Sequence, residues 1–237
     1  GGYGYIGLLA LGGAAAGGGG GSSSTDSTIT DTDADVNADA AVAITLTTIN
    51  NAAKGTLEYT VSGLDADATG VVTFTDASSN TKTANVSANG TATIDLTGLT
   101  DGKITASLAV TDTVGNTATG ATDTATLDTT NAAASFALNA DTGTVTNTTS
   151  DATVNVTLAA DVASWEYSLD AGTTYSTGTG TSFELAANTT YAISDIVVRQ
   201  TDGAGNLSAT VANTAAITTD TTNAAASFAL NADTGTV

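Results

Sequence analysis

The residues of this 237-residue chain that could do chemistry are carboxylates, amides and hydroxyls. The sequence contains no histidine and no cysteine, so the common general base, the thiolate nucleophile and the usual zinc ligands are all missing. A glycosidase that uses two carboxylates remains chemically possible, but such clefts are usually lined by aromatic rings, and aromatics make up only 5% of the chain. We therefore expect no catalytic residues and no enzymatic activity.

The spacing of aspartate and asparagine instead favours a hard cation. Calcium takes six to eight oxygen ligands from carboxylates, carbonyls and water, so a site needs several acids brought together at strand ends. Two similar turns, Thr111–Asn116 and Thr201–Asn206, each precede an Asp-Thr-Thr tripeptide by about a dozen residues. The predicted calcium ligands are Asp112, Asn116, Asp128 and Asp141 at one place, and Asp202, Asn206, Asp220 and Asp233 at the other. Asp and Asn are also common turn residues, so a purely structural role stays open.

The charge balance excludes several classes of partner. Four basic residues face 24 acidic ones, which gives a formal net charge of −20. This sign repels nucleic acid and anionic membranes, so we expect neither as a partner. The acids either keep the surface solvated or require neutralisation by cations.

The densest acid run alternates along the chain. If this segment is extended, its acids lie on one side of a strand and repel one another unless a cation intervenes. The run lacks the glycine and the final glutamate of an EF-hand loop, and a solvated strand explains it equally well. The residues are Asp31, Asp33, Asp35, Asn37 and Asp39.

Short runs of alternating apolar and polar residues, separated by Gly, Asn and Asp, predict an all-β chain. Clear examples are Ala41–Leu46, Leu57–Val61, Val71–Phe74 and Ile104–Val110. No segment has a convincing helical period. Predicted turns fall at Ser62-Gly63, Ser79-Asn80, Asn89-Gly90 and Asp101-Gly102.

An internal repeat sets the domain organisation. Residues 128–145 recur without change at 220–237, and this 92-residue offset suits a β-sandwich repeat. We predict a Gly-rich linker or docking segment at 1–24, Ig-like repeats at 25–128 and 129–220, and the start of a third repeat at 221–237.

The Gly-rich segment permits two interpretations. Its apolar run, Tyr5–Ala16, is shorter than the roughly 20 residues needed to span a bilayer, and it has no basic flank typical of a signal peptide. It is either a flexible linker or a segment whose Tyr5–Leu9 part docks as an added strand in a neighbouring subunit.

The second repeat contains the only tryptophan and the only basic residue outside the first repeat. Trp165 and Tyr167 alternate with polar residues, which favours packing of these rings in the core of the sandwich over a platform for stacking sugars. Arg199 is expected to pair with a nearby acid rather than to bind a ligand.

Taken jointly, several motifs resemble the immunoglobulin-like repeats of giant type I-secreted bacterial adhesins of the RTX or biofilm-associated type. They are Val61–Thr69, Val72–Asp76, Asn89–Thr91, Leu99–Gly102 and Val110–Asp112 in the first repeat, and Trp165–Gly172, Gly178–Phe183 and Val198–Asn206 in the second. The resemblance covers about residues 25–237. It implies tandem seven-strand-like β-sandwiches, secretion to the cell surface and calcium near domain junctions. Asn131 and Asn223 stand where the linkers of that family often have Ala-Pro, so no proline stiffens these linkers.

From these observations we expect the repeat region of a secreted surface adhesin, stiffened by calcium for cell adhesion or biofilm formation. Its partners would be neighbouring repeats or sister chains, with host or matrix glycans or proteins contacted through other regions. One alternative is a self-polymerising extracellular filament or surface-layer subunit that uses the Gly-rich segment for strand addition. Another is a carbohydrate-binding module or an accessory domain of a secreted hydrolase, which would need exposed, clustered aromatic rings.

Overall fold

Alternating small and β-branched side chains form most of the regular structure, because such residues pack well on a pleated surface. The structure is a computed structural model that describes residues 39–223 and 225–227. Within these residues the regular elements are β-strands and one 3-10 helix, which confirms the all-β prediction. The described residues divide into two compact units: unit 1 runs as far as Ile49 and continues over Ala53–Leu127, and unit 2 contains Asn50–Ala52 and the residues from Asp128 onwards.

Unit 1 is a sandwich of two sheets. Its strands are β1 (Ala41–Ile44), β2 (Thr48–Ile49), β3 (Leu57–Ser62), β4 (Ala68–Thr75), β5 (Thr81–Val86), β6 (Gly90–Ile94), β7 (Gly102–Asp112), β8 (Thr117–Thr119) and β9 (Asp123–Leu127), with a 3-10 helix at Lys54–Thr56. One sheet has the order β1-β3-β6, and the other has the order β2-β9-β7-β4-β5 with β8 added to β7. The pairs are antiparallel except for β2 with β9, which is parallel.

The core of unit 1 lies between these sheets. Strand β3 buries every second residue, Leu57, Tyr59 and Val61, as the period of a strand requires. The Tyr59 ring packs edge-on against Phe74 of β4, with ring centroids 5.3 Å apart. This burial raises the pKa of the Tyr59 hydroxyl.

Unit 2 is built from shorter strands. They are β10 (Ser135–Leu138), β11 (Thr148–Thr149), β12 (Thr153–Thr157), β13 (Val162–Ser168), β14 (Ser176–Thr177), β15 (Ser182–Glu184), β16 (Thr190–Tyr191), β17 (Val197–Asp202), β18 (Val211–Ala212) and β19 (Ile217–Thr219). They form sheets of order β10-β12-β15, β14-β13-β17-β18 and β11-β19-β16. The last contains the parallel pair β11 and β19, which corresponds to the parallel pair of unit 1.

Aromatic rings fill the core of unit 2. Trp165 is only 4% exposed, its indole N–H donates to the carbonyl of Gly180 at 3.0 Å, and Tyr167 stacks on Phe183 with centroids 4.3 Å apart. These contacts confirm that the Trp165 strand faces the core. A sugar-stacking platform needs exposed rings, so this strand does not provide one.

The predicted turns adopt the expected backbone. Ser79 has φ of 68°, and Gly63, Gly90 and Gly102 also have positive φ. At Gly63 a side chain is also sterically excluded, because a Cβ atom there would lie 2.2 Å from the carbonyl oxygen of Asp39.

Candidate metal centre

The first component of the site is the loop that follows β17. Asp202 is 1% exposed, and its two carboxylate oxygens accept the amide and the side-chain N–H of Asn206 at 2.7 and 2.9 Å. The loop closes through two backbone bonds, from the Asp202 amide to the Asn206 carbonyl and from the Gly205 amide to the Asp202 carbonyl. This arrangement fixes the Asp202 side chain at the end of the strand.

Asp161 reaches the same place from the neighbouring strand. It immediately precedes β13, and Val162 is the register partner of Asp202 in the antiparallel pair β13 and β17. The Asp161 carbonyl accepts the Gly203 amide at 3.0 Å, which extends this pairing by one step. Its side chain is exposed, so a carboxylate borders the loop from the solvent side.

Asp128 is held to the same loop by a polar network. The Asn206 side chain donates to the Asp128 carbonyl at 2.9 Å, and the Asn131 side chain donates to the Asn206 and Gln200 carbonyls at 2.7 and 3.0 Å. The fully buried Gln200 side chain in turn donates to the Ala132 carbonyl at 2.7 Å. Residues 128–132 are thereby anchored along β17, and the Asn131 side chain is one of the anchors.

These elements bring three carboxylates together. One oxygen from each of Asp128, Asp161 and Asp202 lies within 4.8 Å of the other two. Burial increases from the exposed Asp161 through the half-buried Asp128 to the buried Asp202. Such a group of oxygen donors could hold a hard metal ion.

No basic side chain neutralises this group among the residues that the structure describes. Arg199 is the only basic residue of unit 2, and its guanidinium pairs with Glu166 at 2.7 Å and covers the Tyr175 ring at 3.6 Å. The prediction that Arg199 pairs with an acid is confirmed. Three carboxylates so close together repel one another, and a cation relieves that repulsion.

Two opposing effects set the ionisation of Asp202. Burial raises the pKa of its carboxyl, whereas hydrogen bonds from the Asn206 side chain and from the amides of Asn206, Ala204 and Gly205 lower it. The hydrogen bonds prevail, so the pKa of Asp202 lies below its ordinary value. Asp202 is therefore ionised at neutral pH and is able to bind a metal.

Unit 1 contains the same loop after β7. One Asp112 oxygen accepts the amides of Val114, Gly115 and Asn116 at 2.9, 2.6 and 2.7 Å, and the other accepts the Asn116 side chain at 2.6 Å. The structure thus brings the predicted pair Asp112 and Asn116 together. Its visible role is to close the turn.

The remaining predicted ligands are distributed differently. Asp141 accepts the Asn147 amide at 3.0 Å and Asp220 accepts the Thr222 amide at 3.2 Å, and neither belongs to the group of three carboxylates. Asp233 lies outside the described residues, as does the acid run except for Asp39. The structure groups Asp128 with Asp202, which the sequence placed at different junctions, and adds Asp161, which the sequence did not suggest.

Asp161 could have been found from the pairing of strands. It stands directly before the strand that contains Trp165, and the strand that ends at Asp202 carries the loop. Once these two strands are paired antiparallel, the start of one faces the end of the other.

No family model matches the chain. No curated protein matches it either.

Among solved structures, the chain is similar to one described in connection with host cell surface retention of a 1.5-MDa bacterial ice-binding adhesin. The identity is 22% and the TM-score 0.41, over 76% of this chain and 66% of that chain. A tetra-tandem repeat in the extending region of a large adhesion protein matches at 20% identity and a TM-score of 0.31, over 77% and 49%. Fibronectin(III)-like modules of Clostridium thermocellum CbhA match at 12% and 0.36, over 76% and 94%.

Solved structures of large bacterial adhesin repeats, the family that the sequence resembles, are thus among those similar to this chain. The chain spans less than two thirds of the length of either adhesin structure. The structure itself defines the class of protein as a tandem of β-sandwich units.

Proposed function

We propose that this chain is part of the repeat region of a secreted bacterial surface adhesin, and that calcium bound by Asp128, Asp161 and Asp202 stiffens the repeat array. The function is structural: it depends on the length and rigidity of the array rather than on catalysis. The array would serve cell adhesion or biofilm formation at the cell surface.

The observation that carries this proposal is the convergence of the three carboxylates without a basic partner in unit 2. Carboxylate and carbonyl oxygens are the ligands that calcium prefers, and the absence of His and Cys from the sequence disfavours zinc and copper. Asp202 supplies a fixed and ionised group, whereas the exposed Asp161 leaves room for water ligands.

Binding at these residues would restrain the chain where unit 2 begins. Asp128 is the first residue of the long segment of unit 2, whereas Asp161 and Asp202 belong to its paired strands β13 and β17. An ion bridging them would link the incoming segment to the sheet. Because the ion binds the folded arrangement, it would also stabilise unit 2.

The remaining parts of the proposal concern location and partners. We place the protein outside the cell, where calcium is abundant and where a chain without disulfides gains stability from a bound ion. No helix in the described part of the chain is long and apolar enough to cross a membrane. The partners we propose are neighbouring repeats and sister chains, with receptors contacted by other regions.

Calorimetric unfolding of the full chain, in calcium and in chelator, tests the proposal. With a dissociation constant of about 0.1 mM, about 10 mM calcium would stabilise unit 2 by about 2.7 kcal/mol. This corresponds to a rise in the midpoint on the order of 10 °C. Small-angle scattering should show a longer and more rigid particle in calcium. Equal unfolding midpoints in both solutions would mean that the three acids only form turns and contribute surface charge.

Asp161→Asn provides the critical variant because it removes one carboxylate from an exposed position. It should unfold at the same or a higher temperature than the wild type in chelator, since a repulsion is relieved, and at a lower temperature in calcium. Glu184→Gln neutralises another exposed acid of the same unit and should leave the calcium response intact. If Asp161→Asn keeps the full calcium response, the assignment of the site is wrong.

A further inference from the structure

Unit 2 has two open sheet edges on one side of its sandwich. Strand β10 ends the sheet β10-β12-β15, and β18 ends the sheet β14-β13-β17-β18. Neither strand pairs at its outer edge with any other described residue. An outer edge without a partner leaves backbone amides and carbonyls available to another strand.

The register fixes which backbone groups face outwards. The Asn139 amide donates to the Thr153 carbonyl at 2.9 Å, and bonded and non-bonded positions alternate in an antiparallel pair. The amides and carbonyls of Phe136 and Leu138 therefore point away from β12. By the same reasoning, the bond from the Asn213 amide to the Ile196 carbonyl leaves Ala212 facing outwards from β18.

A groove of about 470 Å³ lies between these two edges. It is lined by residues of β10, by Asp141 and Asn147, by the segment 211–215 and by Ile217, so its lining is part apolar and part polar. Phe136 and Leu138 are only half-buried there, although they occupy the core-facing positions of their strand. The volume is in the range of sites that hold a peptide side chain or a small ligand.

Unit 1 closes the corresponding side of its own sandwich. Its first strand, β1, pairs with β3 as β10 pairs with β12, and it also bonds to Ala121, between β8 and β9. The Val42 amide donates to the Ala121 carbonyl at 3.2 Å, and the Ala121 amide donates to the Ala40 carbonyl at 2.7 Å. As a result Val42 is 3% exposed, whereas unit 2 leaves Phe136 half-buried.

The open edge of β10 also lacks the usual protection against pairing. Exposed edges commonly carry a charged residue or a proline, and the edge strand β5 of unit 1 contains Lys82. Strand β10 has the sequence Ser-Phe-Ala-Leu, without charge or proline.

We propose that this groove binds the Tyr5–Leu9 segment of a second copy of the chain as an added strand. Five extended residues span about 17 Å, enough to follow the four residues of β10. Residues 1–25 contain no charged side chain, so this segment itself adds nothing to the repulsion between two chains of net charge −20. Ile6 and Leu8 share one side of an extended segment, which suits the half-buried side chains of Phe136 and Leu138 in the groove.

The chain between Leu9 and unit 1 is long enough for the Tyr5–Leu9 segment to reach a second copy. Residues 10–38 lie between Leu9 and the first described residue, and when extended they span up to roughly 100 Å. Strand addition of this kind provides affinity through backbone hydrogen bonds and specificity through alternate side chains.

Disulfide trapping between two differently labelled copies tests the proposal directly, because the chain has no cysteine of its own. A full-length Leu8→Cys chain is mixed with a full-length Ala215→Cys chain under mild oxidation, in chelator so that calcium plays no part. Ala215 lines the groove and is exposed, so the substitution should not disturb folding. The mixed dimer should form on the order of tenfold faster than with Ala209→Cys, which is also exposed but lies outside the groove.

Two further variants make the result decisive. Thr214→Cys offers a second exposed position in the groove and should also form the mixed dimer. Adding Ile6→Asp to the Leu8→Cys chain should abolish trapping, because the new carboxylate loses the apolar contact of Ile6 and is repelled by Asp141, which lines the groove. Equal rates for the groove positions and Ala209→Cys, or no effect of Ile6→Asp, would overturn the proposal.

Discussion

At the scale of single residues, aspartate side chains stabilise several loops of this proline-free chain by accepting hydrogen bonds. Asp76 is 5% exposed and accepts hydrogen bonds from the amides of Ser78, Asn80 and Thr100. Asp170 likewise accepts the Thr174 amide and the hydroxyls of Ser168 and Thr174. Each carboxylate closes a loop by satisfying donors that no strand can use.

These hydrogen bonds make both units sensitive to acid. The Ser168 hydroxyl, followed by the hydroxyl and the amide of Thr174, lowers the pKa of Asp170 to about 2, whereas the unfolded value is about 3.9. The Thr100 amide contributes most to holding the pKa of Asp76 well below its usual range. Because the folded pKa is lowered, this stabilisation is present above about pH 4 and is lost as the pH falls towards 2.

We therefore expect the unfolding midpoint to fall as the pH is reduced from about 5 to 2, and to fall less in Asp170→Asn. The variant should be less stable than the wild type at pH 7, and the difference should shrink in acid. Glu184→Gln serves as the matched control in unit 2. Parallel pH profiles for the wild type and Asp170→Asn would contradict the role of this carboxylate.

At the scale of elements, the strands with a clear period of two were predictable from the sequence. Leu57–Val61 and Ile104–Val110 match β3 and β7 because their buried residues alternate over several positions. The two-residue strands β2 and β11 could not be predicted, since two residues carry no period and their parallel partners are distant in sequence.

The candidate site was only partly predictable for the same reason. Asp128 and Asp202 were recognised from their local motifs, which need no tertiary information. Their grouping with Asp161 depends on which strands pair. In unit 2 Val162 is paired with Asp202, and in unit 1 Ala68 is paired with Asp112. In each unit, the acid that precedes one strand therefore lies near the acid that ends the paired strand. Asp67 occupies in unit 1 the position that Asp161 occupies in unit 2.

A close approach of backbone to ring makes Gly178 indispensable for the packing of unit 2. Its amide donates to the Trp165 carbonyl at 2.9 Å, and a Cβ atom on Gly178 would lie 2.1 Å from the indole ring. Gly178→Ala should therefore destabilise unit 2 by about 1–3 kcal/mol through overpacking. Gly55→Ala, where a Cβ meets nothing within 4 Å, is the control, and denaturant unfolding is the measurement. Similar losses in both variants would contradict this explanation.

At the scale of the whole molecule, the net charge of −20 is the dominant electrostatic feature. Like charges repel at long range in the folded chain, and monovalent salt screens this repulsion with a Debye length of about 10 Å at 0.1 M. A bound calcium ion acts differently, because it occupies one site and offsets most of the charge of three neighbouring carboxylates.

The two effects can be separated by experiment. Raising sodium chloride from about 0.02 to 0.5 M should raise the unfolding midpoint of both units in chelator, through screening. Calcium should add a further increase for unit 2 that persists at high salt and disappears in Asp161→Asn. A calcium effect that vanished in about 0.5 M sodium chloride would indicate general screening rather than binding at the three carboxylates.

The burial of Trp165 also gives the molecule a built-in optical label. The chain contains one tryptophan, and it lies in the core of unit 2, whereas unit 1 has none. Tryptophan fluorescence of the unmodified protein therefore reports on unit 2 alone. A red shift of the emission maximum indicates that unit 2 has unfolded and exposed the indole to water. The unit that carries the candidate metal centre is thus the one whose unfolding can be followed by light, separately from its neighbour in the same chain.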